Sequence, residues 1–185
     1  MKYRKKTMDE LERLAPEAFQ SSDRIPLTLL LDDIRSANNV GSIFRTADCF
    51  ALQHLYLCGI TATPPHRDIL KTALGSTETV SWSYHPDAEA LVQELRGAGA
   101  QVQGLEQTEQ STALSAFIPP ANQMLVLVVG NEVNGVSQSV LEHCAGTLEI
   151  EQFGTKHSLN VAVATGMAVY QLSARLRGKA GWQAG

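Results

Sequence analysis

The chain has 185 residues, 44% of them hydrophobic, with 15 Lys and Arg against 19 Asp and Glu, a formal net charge of −4. That length suits one domain with a full core, and the acidic balance argues against a broad nucleic-acid surface while leaving room for a local one. No apolar run is long enough to span a membrane and no signal-peptide pattern is present, so a soluble, cytoplasmic protein is expected.

The N-terminus is the local exception on charge, because Lys2, Arg4, Lys5 and Lys6 cluster there. The cluster reads either as a solvated tail or as a phosphate-contacting arm centred on Lys5 and Lys6. It precedes Thr7-Met8-Asp9-Glu10, a capping box that predicts a helix over about Met8 to Leu14, with Met8, Leu11 and Leu14 at helical spacing. Ser21-Ser22-Asp23 is linker-like, so residues 1–24 read as an arm and short helix ahead of one domain over 25–178, with 179–185 as a tail. Leu27 to Leu31 is a continuous apolar run bounded by Pro26 and Asp32, the pattern of a buried strand. After the polar loop Asp32 to Asn39, the residues Val40, Ile43, Phe44, Ala47 and Phe50 mark a helix.

Leu55 to Cys58 reads as a second strand, Arg67 to Leu74 as a short helix stopped by Gly75, and Thr79 to Tyr84 as a strand. Asp87 is placed to cap a helix over Ala88 to Arg96. Strands follow at Gln101 to Leu105 and Met124 to Val129, a helix at Ser137 to Cys144, and a short strand at Leu148 to Ile150. Ser158 is a candidate N-cap for a last helix ending near Arg177, with Gly178 as its stop. That helix is apolar almost all round, which predicts full burial. Strands alternating with helices make the chain α/β, with a mainly parallel sheet of about six strands flanked by helices. Cys49, Cys58 and Cys144 have no metal-ligand or redox spacing and fall in apolar contexts, so they read as buried thiols, and no metal site is expected.

Three segments carry candidate chemistry. Gly97-Ala98-Gly99 is not among them: it follows a helix and precedes a strand, the reverse of a dinucleotide fingerprint. Gly130 to Ser137 has the glycine spacing of a phosphate loop between a strand and a helix. Val136 stands where the lysine belongs, however, and Glu132 would repel a polyphosphate, so a ligand with a positive centre fits better. Asn38 to Asp48 begins a helix with Asn39 at its start and Arg45 six residues on, about 9 Å along the axis. Beside Phe44 and Ala47, Arg45 is expected on the buried side. It reads either as a structural arginine paired with Asp48 or another acid, or as a functional group. The third segment is the polar loop Glu151 to His157 leading into Ser158-Leu159-Asn160.

Taken together, these segments resemble the SpoU (TrmH-like) family of RNA ribose 2′-O-methyltransferases, within the SPOUT superfamily. The motifs are N-V-G-S-I-F-R-T-A-D from Asn39 to Asp48, L-V-V-G-N-E-V-N-G-V from Leu127 to Val136, and I-E-Q-F-G-T-K-H-S-L-N-V-A-V-A from Ile150 to Ala164. The resemblance implies a sheet whose C-terminal segment forms a deep trefoil knot, S-adenosylmethionine bound at the knot, and a homodimer with RNA, tRNA or rRNA, as substrate. By position it implies that Leu105, Gly130, Ile150 and Leu159 contact the cofactor. It implies that Glu132, Ser158 and Asn160 surround the methyl group and the target ribose. Asn39 would support the catalytic arginine, Arg45.

The family's usual I-P-M-x-G is Ile150-Glu151-Gln152-Phe153-Gly154 in this chain, which alters the adenine-side loop. Ala174 replaces an arginine that some relatives carry, with Arg175 adjacent. A guanidinium is a poor general base, since its pKa lies above about 12. Proton removal by Arg45 and electrostatic stabilisation by Arg45 therefore both stay open. The alternative to an enzyme is a non-catalytic RNA-binding or cofactor-sensing relative, which would need few of these polar residues. The compact chain looks more like the tRNA-modifying members than the larger rRNA ones.

Overall fold

The computed structural model describes residues 3–7 and 9–180. In chain order the elements are α1 (Pro16–Gln20), β1 (Ile25–Asp32), α2 (Ala37–Cys49), β2 (Leu52–Cys58), α3 (Arg67–Ala73), α4 (Ser76–Thr79) and β3 (Trp82–His85). They continue as α5 (Ala88–Gly97), β4 (Gln101–Leu105), β5 (Thr112–Ala113), β6 (Leu125–Val129), α6 (Gln138–Glu142), β7 (Gly146–Glu149) and α7 (Val161–Ala180). The strands form one seven-stranded sheet in the order β3-β2-β1-β6-β4-β7-β5, and every pairing is parallel.

Alternation along the central strands sends side chains to two cores. Leu27, Leu29, Leu31, Leu125, Leu127 and Val129 face a layer made by α2 and α7. Leu30, Val126 and Val128 face α5 and α6. Both faces being covered explains why these strands read as unbroken apolar runs rather than alternating ones. Phe44 of α2 is fully buried and meets Trp82 edge-to-face, with centroids 6.3 Å apart, a contact worth about 0.5–1.5 kcal/mol beyond burial. Helix α3 can approach α2 because Gly41 has no side chain: a Cβ there would lie 2.4 Å from the Ile69 carbonyl oxygen.

The order places the C-terminal ends of β1, β6, β4 and β7 side by side. Leu31 pairs with Val129, Gly104 with Val128, and Leu105 with Leu148. Loops leaving those four strands converge on one edge, where parallel sheets hold ligands.

Several expectations are corrected. The capping box forms, with the Thr7 N–H on Glu10 Oε2 (2.8 Å) and the Glu10 N–H on Thr7 Oγ1 (3.4 Å). Yet it heads only a 3₁₀ turn, Asp9–Leu11. Glu12 adopts φ 49° and breaks it, and Leu11 and Leu14 are exposed with no core to pack against; Met8 lies outside the described residues. Thr79 belongs to the helical turn α4, its hydroxyl donating to Asp48, so β3 starts at Trp82. The two-residue β5 adds a seventh strand too short to show periodicity.

Helix α7 is capped by Asn160, whose Oδ1 accepts from the Ala162 and Val163 N–H groups at 3.0 and 3.2 Å, and not by Ser158. It runs past Gly178 to Ala180. Nor is it buried all round. Ala168, Val169, Leu172 and Leu176 are buried, whereas Val163, Met167 and Tyr170 are 46–65% exposed. Of the cysteines, Cys58 is buried and its thiol is pushed up to about 12, by burial first and then by nearby acids. Cys144 is part-buried, and Cys49 is exposed, since it falls on the outward side of α2's last turn.

Candidate functional site

The loop between β6 and α6 closes tightly on itself. Asn131 and Gly135 exchange two backbone hydrogen bonds of 2.9 Å, and Asn131 Oδ1 accepts from the Val133 and Asn134 N–H groups. Gly130 is obligatory, because a Cβ would lie 2.1 Å from both the Gly135 carbonyl carbon and the Val136 nitrogen. Gly135 adopts φ +70°, a region side chains disfavour. Two further amides are also taken. Val136 N–H donates to Glu106 Oε2 (2.9 Å) and Ser137 N–H to Asp32 Oδ2 (2.9 Å). A phosphate loop needs free amides, and this one has spent them internally.

That loop forms one wall of a cleft of about 260 Å3. The opposite wall is the segment from Ile150 to Leu159, and the floor is made by Leu105, Val161 and Ala164. All four residues expected at a cofactor, Leu105, Gly130, Ile150 and Leu159, line it, as do Glu132 and Ser158. Three carboxylates border it, Glu106, Glu132 and Glu149, and among the described residues no lysine or arginine does.

At the cleft mouth the sequence-predicted polar residues join in a chain. Glu132 Oε1 accepts from the Ser36 N–H (3.0 Å) and the Asn39 side-chain amide (2.8 Å), while Oε2 accepts from the Arg35 N–H (2.9 Å). Asn39 Oδ1 in turn accepts from the Asn160 side-chain amide at 3.2 Å. Partial burial pushes the Glu132 carboxyl up, but donation from Arg35, Asn39 and Ser36 outweighs it and holds the group below its usual range. Loops from β1, β6 and β7 are thereby pinned to the start of α2.

Arg45 stands apart. It is exposed rather than buried, and among the described residues it makes no hydrogen bond or ion pair with Asp48 or any other acid. It lines a second hollow, between α2 and α3. Lys5 and Lys6 are exposed, outside the lining of the cleft, and Arg4 is spent on Glu10 at 2.7 Å. Arg175, beside the departure at Ala174, donates to the Ser115 and Phe117 carbonyls and so holds α7 to that loop. Glu106 is the residue the sequence reading missed. An acid directly after a parallel strand, opposite a glycine loop, was the available signal.

The SpoU rRNA methylase family model matches residues 26–170. The chain belongs to the SpoU rRNA methylase family. All three SpoU motif segments lie inside that match. The 23S rRNA (guanosine-2′-O-)-methyltransferase RlmB of Neisseria meningitidis is 29% identical over 153 residues, 83% of this chain and 60% of that enzyme. This chain therefore spans under two thirds of that relative's length. Among solved structures, the TrmH/SpoU tRNA modifying enzyme of A. aeolicus superposes with a TM-score of 0.79 at 24% identity, covering 90% of this chain and 82% of that one. The SpoU methyltransferase AviRb of Streptomyces viridochromogenes, solved with AdoMet, gives 0.72 at 24% identity, covering 84% and 62%. No helix among the described residues is long and apolar enough to cross a membrane.

Proposed function

We propose that this chain is an S-adenosylmethionine-dependent ribose 2′-O-methyltransferase acting on RNA, tRNA or rRNA, in the cytoplasm. The observation that carries it is the cleft at the C-terminal edge of the sheet, apolar in its floor and bordered by three glutamates and no cation. That lining disfavours a phosphate-bearing nucleotide and fits a ligand with an adenine at one end and positive centres at the other. S-adenosylmethionine is such a ligand, and it supplies an electrophilic methyl group on a sulfonium. Leu105, Ile150 and Leu159 would hold its adenosine, with the closed Gly130 loop as the wall it rests on.

The remaining steps belong to the polar residues. Glu132, held ionised by its three donors, fixes Asn39, and Asn39 fixes Asn160, so the α2 and α7 starts keep one separation. In this reading Ser158 and the remaining amide proton of Asn160 would orient the ribose hydroxyl. Arg45, exposed and without a partner among the described residues, is free to grip the neighbouring phosphate and stabilise charge growing on the hydroxyl oxygen. Holding hydroxyl and methyl in line supplies several kcal/mol of the barrier by itself.

Two further features belong to this reading. After β7, at the far side of the sheet, the chain returns to pack α7 on β1 and α2, passing the Gly130 loop. That path supports the deep trefoil knot of the family, formed within a domain over residues 25–178. The exposed stripe Val163, Met167 and Tyr170 on α7 supports a homodimer, with the partner covering it and completing the RNA site.

The test is Arg45→Ala in single-turnover transfer of labelled methyl to bulk tRNA and rRNA, beside calorimetry with S-adenosylmethionine and light scattering of the same samples. Parent and variant should bind cofactor within a few-fold of each other and scatter as dimers, and only the parent should transfer methyl. Transfer by Arg45→Ala at the parent rate removes the catalytic assignment. A parent that binds no cofactor removes the enzyme, and a 20 kDa scatterer removes the dimer.

A further inference from the structure

The hollow beside Arg45 contains a second cation that the reaction as described does not use. It has a volume of about 490 Å3 and is walled by Ser42, Arg45 and Thr46 of α2 and by Lys71 and Thr72 of α3, with no acidic residue in its lining among the described residues. Its hydroxyl protons are already committed to backbone carbonyls. Ser42 Oγ donates to Asn38 O at 2.9 Å, Thr46 Oγ1 to Ser42 O at 3.1 Å, and Thr72 Oγ1 to Asn38 O at 3.0 Å. The donors left to face a ligand are Arg45 and Lys71, neither of which has a hydrogen bond or ion pair among the described residues. Two like charges sharing a hollow without a counterion are unfavourable unless an anion joins them.

The fold fixes the two stretches of backbone that carry these cations. Thr72, next to Lys71, ties α3 to the residue preceding Asn39. Gly41 lets the helices touch, since a Cβ there would meet Thr72 Oγ1 at 2.1 Å and Ile69 O at 2.4 Å. The turn of α3 that carries Lys71 is therefore held against α2, with both cations on one hollow, and Arg45 is about 9 Å along α2 from Asn39 at the cleft mouth. We propose that this hollow seats a backbone phosphate of the RNA and that Lys71 is a positioning residue, gripping the phosphate jointly with Arg45. The inference rests on RNA being the substrate. A planar guanidinium gives the phosphate an orientation, and the ammonium adds a point charge that tolerates small shifts in strand path.

The test uses the full chain with fluorescently labelled bulk tRNA and rRNA, titrated across a series of salt concentrations, for the parent, Lys71→Ala, Lys71→Glu and Lys71→Arg. Cofactor affinity by calorimetry and mass by light scattering serve as fold and assembly checks. Lys71→Ala should bind RNA about fivefold to tenfold more weakly at low salt, with the slope of log affinity against log salt shallower by about 0.7–0.9, the loss of one phosphate contact. Lys71→Glu should be weaker still, Lys71→Arg should recover most of the affinity, and cofactor binding should not change. Lys71→Ala with the parent's affinity and slope overturns the proposal. A loss that Lys71→Arg does not restore, or that comes with a change in mass, overturns it too by making Lys71 structural. A parent that binds RNA without methylating it sinks the proposed reaction while the Lys71 comparison still reads out. A parent that binds no RNA sinks both.

Discussion

The two walls of the cleft are built on opposite principles. In the wall from Gly130 to Ser137, the Asn131, Val133, Asn134, Gly135, Val136 and Ser137 amides each have a partner, and Asn131 adds a side-chain bond to the Asp33 carbonyl at 2.7 Å. In the wall from Glu151 to Leu159, every residue but Gln152 is exposed. Among the described residues, one hydrogen bond, from the Gln107 side-chain amide to the His157 carbonyl at 3.1 Å, ties it down. One wall is complete before any ligand arrives; the other has few internal bonds to hold it, the profile of a segment that opens locally at little cost. Such a pocket would select its ligand on the stiff side and close over it on the loose side, with part of the binding free energy offset by ordering the second wall.

Removing the stiffness of the first wall should have the largest effect. Gly130→Ala puts a methyl 2.1 Å from the Gly135 and Val136 backbone, and no side-chain rotation relieves a clash with backbone. The variant should lose about 1–3 kcal/mol in a urea titration and bind S-adenosylmethionine too weakly for calorimetry. Parent-like affinity would mean that the loop is not the preformed wall described.

The same contrast decided what the sequence disclosed. The stiff wall was legible because its demands are local and specific: glycines where backbones touch, an apolar strand before and a helix after. The central strands were legible for a similar reason, since burial on both faces leaves unbroken runs from Leu27 to Leu31 and Leu125 to Val129. The loose wall carries no such constraint, and Glu151-Gln152-Phe153 announces nothing beyond polarity and a departure from the family motif. Tertiary context hid the rest. The apolar neighbours of Arg45 point it inward, yet α2 turns it outward. The exposed stripe of α7 reads as core because an exposed apolar residue has the same letter as a buried one. Glu106 stayed hidden because its role lies in reaching Val136, thirty positions away.

A moderate effect is expected where the stiff wall meets α2. Glu132 is held below the usual carboxylate range, so its folded pKa lies under its unfolded value near 4.5. Its contribution to stability is present in full above that unfolded value and is lost as pH falls through the folded one. Glu132→Gln should cost about 1 kcal/mol at pH 7, because an amide offers one oxygen where three donors converge. The deficit should shrink as the pH is lowered below 4.5, since the parent's own carboxyl is then being protonated. Urea midpoints for parent and variant at neutral and acid pH measure this directly. A deficit that grows toward low pH would reverse the assignment of Glu132 as an ionised anchor.

The smallest effect should come from the loose wall, and its sign is informative. Nothing lies within 4 Å of a Cβ placed on Gly154, and its φ is not among the positive values. Gly154→Ala therefore introduces neither clash nor strain, and stability should stay within about 0.5 kcal/mol of the parent. What alanine does remove is backbone freedom, about 0.4–1 kcal/mol of it. In a loop that orders only on closing, that saving appears in the bound state, so affinity for S-adenosylmethionine should rise about twofold to fivefold. Hydrogen exchange on the parent supplies the matching control: amides of 131–137 protected throughout, those of 151–159 exchanging freely and slowing when the cofactor or its demethylated product is added. If Gly154→Ala weakens binding, or if 151–159 is already protected without ligand, then both walls are preformed and the contrast between them fails.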